Sequence, residues 1–177
     1  MEEVSTEIEF KKGNRTKKEL LSIYRSLLLP RVIEERMLTQ LRRGRLSKWF
    51  SGWGQEAISV GCALQMKSEE FILPMHRNLG VFTTRGLSLE KLFAQFQGKK
   101  EGFTKGRDRS FHFGTMEHKI IGMISHLGAQ LGVSDGVALA NKLNNENSAV
   151  LVFTGDGGAS EGEFHEALNV AAVWDLP

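Results

Sequence analysis

The sequence predicts an α/β domain organised on a parallel sheet. Two short apolar runs, Phe71-Ile72-Leu73 and Ala149-Val150-Leu151-Val152-Phe153, have the length of buried strands and alternate with segments of helical period. The second run passes through Thr154-Gly155-Asp156-Gly157-Gly158-Ala159 into a segment with Phe164, Ala167, Leu168, Ala171 and Ala172 on one helical face. Strand, tight turn and helix follow one another there without a break.

Composition bounds the rest. A chain of 177 residues suits one domain with a real core, and 41% hydrophobic with 25% charged residues is ordinary for a soluble globular protein. A net charge of +2 gives no general reason to expect nucleic acid or a membrane as partner. The single cysteine, Cys62, excludes an intrachain disulfide and a cysteine-only metal site, which suits a reducing compartment. No apolar run reaches the ~20 residues that span a bilayer. Met1–Phe10 is acidic and lacks the apolar centre of a signal peptide, so the cytoplasm is the expected location.

Residues 1–16 read as a polar, flexible arm and 17–177 as the folded part. From Lys17 a helical pattern places Leu20, Tyr24, Leu27, Leu28, Val32, Ile33, Met37 and Leu41 on one stripe, with Gly44 as its stop. Pro30 is expected to kink that helix or divide it. Leu46–Gly54 is an aromatic, glycine-rich loop whose side chains need burial. Gln55–Met66 predicts a helix with Ala57, Val60, Gly61 and Leu64 inward. Ser88 caps a helix carrying Leu89, Leu92, Phe93 and Phe96. The charged, glycine-rich stretch from Gly98 to Arg109 is expected to be mobile and solvated. A helix from Leu127 to about Leu143 carries Gly128, Gly132 and Gly136 on one face, a surface suited to close approach by another backbone. Ser160, with Glu163 three residues on, has the spacing of a capping box for the last helix.

The glycine turn after the second strand has a chemical use. A glycine-rich turn feeding a helix start presents unpaired backbone N–H groups to an anion. Asp156 opposes an anion unless a cation lies between them, and Mg²⁺ is held in that way, by few protein ligands plus phosphate oxygens. The alternative is that these glycines only make a tight turn. Other chemistries fit less well. Ser160 stands where a dinucleotide fingerprint needs its third glycine, and Asp175 follows the helix directly instead of closing a second strand. There is no P-loop and no nucleophile elbow. His76, His112, His118, His126 and His165 show no zinc spacing, although His76 and His126 follow apolar runs, where α/β sheets bind ligands. Glu56, at a helix start, suits the dipole there, with a general-acid role as the sharper alternative.

Read in order, the motifs become specific. They are Gly54-Gln55-Glu56-Ala57, Met75-His76-Arg77-Asn78-x-Gly80, Thr84-Arg85-Gly86, Gly106-Arg107-x-x-Ser110-x-His112, Ile124-Ser125-x-Leu127-Gly128-x-Gln130, Gly155-Asp156-Gly157-Gly158-Ala159-Ser160-Glu161-Gly162 and Glu166-Ala167-x-Asn169-x-Ala171-Ala172. From about residue 17 to 177 the set resembles the alpha-type chain of the thiamine-diphosphate-dependent 2-oxo acid dehydrogenases. These are the decarboxylating components of the pyruvate and branched-chain complexes.

The resemblance implies a parallel-sheet thiamine-diphosphate-binding domain, truncated here after the Gly-Asp-Gly strand-turn-helix unit. It makes Asp156 the Mg²⁺ ligand, sets Gly155, Gly157 and Gly158 under the diphosphate, and pairs Arg77 with it. His76, Ser125 and Leu127 match cofactor-contacting positions, and His112 matches a histidine at the substrate end. The glutamate that activates the cofactor comes in this family from a beta-type partner or fused region, which removes Glu56 from that role. The implied activity is oxidative decarboxylation of a 2-oxo acid with acyl transfer to a lipoyl-bearing acyltransferase component, in an oligomer.

This sequence departs from the family at His76, where relatives carry tyrosine, at His126, which replaces a common proline, and at Phe50, where pyruvate-type relatives carry histidine. An apolar Phe50 favours a branched-chain substrate over pyruvate or acetoin. The family's metal site is completed by an asparagine beyond the Gly-Asp-Gly, past Pro177. A non-catalytic fragment holding half of the cofactor site therefore stands as the other reading.

Overall fold

The structure is a computed structural model that describes residues 11–177. The part of the expected flexible arm at 1–10 lies outside the described residues. Among these residues there are six α-helices, α1 (Lys17–Arg42), α2 (Glu56–Gln65), α3 (Leu79–Thr84), α4 (Leu89–Phe96), α5 (Ala129–Leu143) and α6 (Gly162–Trp174), and a small parallel sheet of β1 (Phe71–Leu73) and β2 (Val150–Val152). The strands pair in the register Phe71–Val150, Ile72–Leu151 and Leu73–Val152. On its other side Ile72 donates to the Lys119 carbonyl at 2.9 Å and accepts from the Ile121 N–H at 3.0 Å. The 119–121 segment thus extends the sheet beyond β1, and β1 is central. None of the described helices is long and apolar enough to cross a membrane.

Thr16 caps α1, with its hydroxyl accepting from the Glu19 N–H and the Glu19 carboxylate accepting from the Thr16 N–H. α1 is not divided at Pro30 but continues through it as one helix. A proline inside a helix forfeits one hydrogen bond and costs ~3 kcal/mol, which burial of this ring helps to offset. Only Ile33 and Met37 of the expected stripe are fully buried. Leu20, Tyr24, Leu28 and Val32 stay exposed, because α1 meets the rest of the chain mainly through its second half.

The core is aromatic. Trp49, Phe82, Phe96, Phe111 and Phe113 cluster with ring centroids 5.0–5.5 Å apart, and Phe103 stacks on Phe113 at 4.3 Å. Edge and tilted contacts of this kind add to the stability gained by burial. Leu46 and Trp49 are buried as the 46–54 loop requires, whereas Trp53 is half exposed beneath the Arg31 guanidinium.

The Gly98–Arg109 loop is tethered rather than free. Fully buried Gln95 of α4 donates to the Asp108 carbonyl and accepts from the Thr104 N–H and hydroxyl, at 2.9–3.1 Å. Composition showed the loop's charge but not the amide beneath it.

α2 turns a different face inward from the one its apolar residues suggest. Glu56, Ser59, Val60 and Ala63 are buried, while Ala57, Gly61 and Leu64 face outward. Polar Glu56 and Ser59 are tolerated inside because both are hydrogen-bonded, Glu56 to Arg31 and Ser59 to the Gln55 carbonyl. α3, not foreseen from the sequence, packs on this face at Gly80. A Cβ there would strike Ser59 Oγ and lie 2.7 Å from Val60 Cγ2. Gly80→Ala should therefore cost about 1–3 kcal/mol of overpacking strain, a lowering of Tm by several degrees that thermal denaturation would detect.

Candidate cofactor site

Two turns meet at the carboxyl ends of neighbouring parallel strands, the position where α/β sheets place ligands. After β1, Pro74 ends the strand and Met75–Asn78 forms a tight turn. Asn78 Oδ1 accepts from the Met75 N–H at 2.8 Å, and the Asn78 N–H donates to the Met75 carbonyl at 3.0 Å. After β2 comes Thr154–Ser160, folded back by a bond from the Ala159 N–H to the Gly155 carbonyl at 2.9 Å. Between the turns lies a cavity of about 470 Å³, whose lining includes His76, Arg77, Leu127 and Gly155–Gly158.

The glycine loop is built as a cradle. Among the described residues, the backbone N–H groups of Asp156, Gly157 and Gly158 donate to nothing in the protein. A Cβ on Gly158 would lie 2.6 Å from Thr154 Oγ1, so glycine lets the loop close on itself. The same built position lies 3.8 Å from Leu127 Cβ and 3.9 Å from the Gly128 N, which brings the entry to α5 against the loop. Thr154 Oγ1 behind it is buried without a partner. The expected capping box does not form. The Ser160 hydroxyl turns back to the Asp156 carbonyl at 3.3 Å, and Glu161 takes the cap position of α6 without a side-chain bond.

Among the described residues Arg77 makes one hydrogen bond, from Nη1 to the Ser51 carbonyl at 2.7 Å, and the rest of its guanidinium fork is free. Asp156 is exposed at the cavity, and its carboxylate bonds to nothing among the described residues. The described residues contain no group of three histidines, cysteines or acids able to hold a metal. A cation at Asp156 would therefore need further oxygen ligands beyond these side chains, and phosphate oxygens are ligands that Mg²⁺ favours. Unpaired N–H groups, one free guanidinium and one free carboxylate together suit a metal-bridged diphosphate.

His76 lies on the flank of the cavity. Its ring meets Phe50 edge-on at 4.6 Å, and Lys48 Nζ lies 4.4 Å over the far ring. Burial, and then the charges of Arg77, His112 and Lys48, push its pKa below the ordinary histidine value, which favours the neutral ring. His112 is near enough to act on His76 electrostatically but does not line the cavity. Neither does Ser125, which is exposed ahead of α5. Of the site residues read from the sequence, His76, Arg77, Leu127 and Gly155–Gly158 line this one cavity, and His112 and Ser125 lie outside the lining.

Glu56 is neither a free cap nor a free acid. Its carboxylate takes two bonds from Arg31, at 2.6 and 2.9 Å, which hold its pKa below the ordinary carboxylate range. Gln55, Ile58, Asn78 and Thr154 line the cavity without having been singled out. Gln55 and Asn78 stand inside motifs quoted above, but their type alone carries no site signal. Gln130 of α5 was likewise missed. It is buried and donates to the Phe153 carbonyl at 3.1 Å and to Met75 Sδ at 3.5 Å, tying the two strand ends together.

A family model described as Dehydrogenase E1 component matches residues 24–177. The chain belongs to that family. It is 33% identical over 155 residues to 2-oxoisovalerate dehydrogenase subunit alpha 1, mitochondrial, of Arabidopsis thaliana, covering 88% of this chain and 33% of that protein. To the 2-oxoisovalerate dehydrogenase subunit alpha of Bacillus subtilis it is 34% identical over 164 residues, covering 92% and 50%. To pyruvate dehydrogenase E1 component subunit alpha-1, mitochondrial, of Arabidopsis thaliana it is 34% identical over 161 residues, covering 90% and 41%. The chain spans a third to a half of the length of these curated relatives. This Dehydrogenase E1 component chain is thus similar to alpha subunits named for two different 2-oxo acids, and family membership alone does not choose between them.

Proposed function

We propose that this chain forms the alpha-type side of a Mg²⁺–thiamine diphosphate site in a 2-oxo acid dehydrogenase. One observation supports the reading: adjacent parallel strands bring Arg77 and Asp156 to one cavity, lined also by Gly157 and Gly158, and the 156–158 N–H groups have no acceptor among the described residues. Arg77 would pair with the diphosphate, the 156–158 amides would donate to it, and Asp156 would hold the Mg²⁺ that neutralises it. Gly155 would leave room for the approach and Leu127 would pack against the cofactor, with Ser125 two residues before it in the chain outside the lining. When bound, thiamine diphosphate supplies the electron sink for breaking a carbon–carbon bond next to a carbonyl.

The protein's part is orientation, charge and shape. Neutral His76 presents a hydrogen-bonding ring without adding a cation beside Arg77, and His112 takes a place toward the substrate. Phe50 against His76 gives the flank an aromatic face, which favours a branched-chain 2-oxo acid over pyruvate. The acyl group passes to lipoamide on an acyltransferase component, and a beta-type partner or fused region completes the site. The assembly works in the cytoplasm. Calorimetric titration of the complete enzyme with thiamine diphosphate should show binding that requires Mg²⁺. Binding of NAD in its place, or metal-independent binding, would refute the reading.

A further inference from the structure

α1 carries a buried acid that the cofactor reading does not use. Glu34 is 1% exposed, and no Lys or Arg nitrogen lies within salt-bridge range of its carboxylate among the described residues. Three donors satisfy it instead. Trp49 Nε1 and Ser51 Oγ donate to Oε2 at 2.8 and 2.9 Å, and the Gly52 N–H donates to Oε1 at 2.8 Å. Burying a carboxylate is costly, and apolar residues of similar volume often serve stability as well or better. What this acid does that an apolar residue could not is fix the course of residues 49–52.

That loop is the wall against which Arg77 rests. Ser51 is held by Glu34 through its hydroxyl, and its carbonyl accepts from Arg77 Nη1 at 2.7 Å. Gly52 lies so close to the Arg77 carbonyl that a Cβ would collide with it. Trp49 anchors the start of the loop in the core against Phe96 and Phe111. A guanidinium is a planar fork, so pinning one Nη sets the direction of its remaining donors. We infer that Glu34 is a positioning residue for Arg77, acting through the Ser51 carbonyl to hold the guanidinium ready for a diphosphate. This inference rests on the cofactor reading above.

Glu34→Gln puts an amide donor among three donors, so at least one loop bond is lost. The test is a double-mutant cycle on the complete enzyme with Mg²⁺, reading calorimetric affinity for thiamine diphosphate and for thiamine in wild type, Glu34→Gln, Arg77→Ala and the double variant. Glu34→Gln is expected to weaken thiamine diphosphate about tenfold, the scale of one hydrogen bond to a charged group, and to leave thiamine unchanged. In the Arg77→Ala background it should weaken diphosphate binding no further. Additive losses, or an equal loss for thiamine, would assign Glu34 to structure alone and overturn the inference.

If Glu34→Gln does not fold, Ser51→Ala decides through the same cycle, since it leaves the carboxylate two donors. It should cost less, again only with Arg77 present, and a loss that persists without Arg77 overturns the inference. Failure of the wild-type enzyme to bind thiamine diphosphate removes the cofactor reading and this inference with it. Binding with additive losses removes this inference only.

Discussion

Asp156→Ala is expected to reduce Mg²⁺-dependent affinity for thiamine diphosphate in the complete enzyme by more than about 100-fold. Removing groups that merely support a metal ligand typically costs 10–100-fold, and on the proposed reading the ligand itself is lost. Among the described residues no cluster of acids, histidines or cysteines stands ready to replace it. The variant should fold normally, because the Asp156 side chain is exposed and bonds to nothing in the protein. Asp156→Asn keeps an oxygen but loses the charge, so it should fall between alanine and wild type. Titration with and without Mg²⁺ provides the check. Unchanged metal dependence in Asp156→Ala would remove the metal from this turn.

Arg77→Ala is the second large effect, and its signature is selective. A charge-assisted hydrogen bond is worth about 1.5–3 kcal/mol, so affinity for thiamine diphosphate should fall roughly 10–100-fold. Thiamine lacks the phosphates and should bind wild type and variant alike. Comparing the two ligands in both proteins measures this directly, and equal losses for both would show that Arg77 only shapes the cavity. Because the guanidinium is exposed and its one protein partner is the Ser51 carbonyl, the thermal midpoint should change little.

The lining of the candidate site was largely legible in the sequence, for a definable reason. Its polar groups stand on turns directly after short strands, and strand, turn and helix are local patterns. Gly155–Gly158 and His76–Arg77 could each be read from a few neighbouring residues. Their meeting in space follows once the strands pair in parallel, because both carboxyl ends then lie at one edge of the sheet. Ser125 and His112 come instead from irregular segments, where sequence supplies no periodicity to aim a side chain. Glu34 was invisible for a third reason. An acid on a helix reads as surface, and only the three donors of a distant loop make its burial tolerable.

By itself the sequence determined the order of elements, the glycine cradle with its single acid, and membership of the Dehydrogenase E1 component family. These depend on residues near one another in the chain, or on motifs in a set order. Tertiary structure decided which faces are buried. α2 hides Glu56 and Ser59 instead of Gly61 and Leu64 because Arg31 from α1 supplies a partner for Glu56, and α3 presses Gly80 on that face. α1 leaves half of its apolar stripe exposed and carries Pro30 without breaking. Burial is settled by what lies across the interface, and hydrophobic period records only the residues on one side of it.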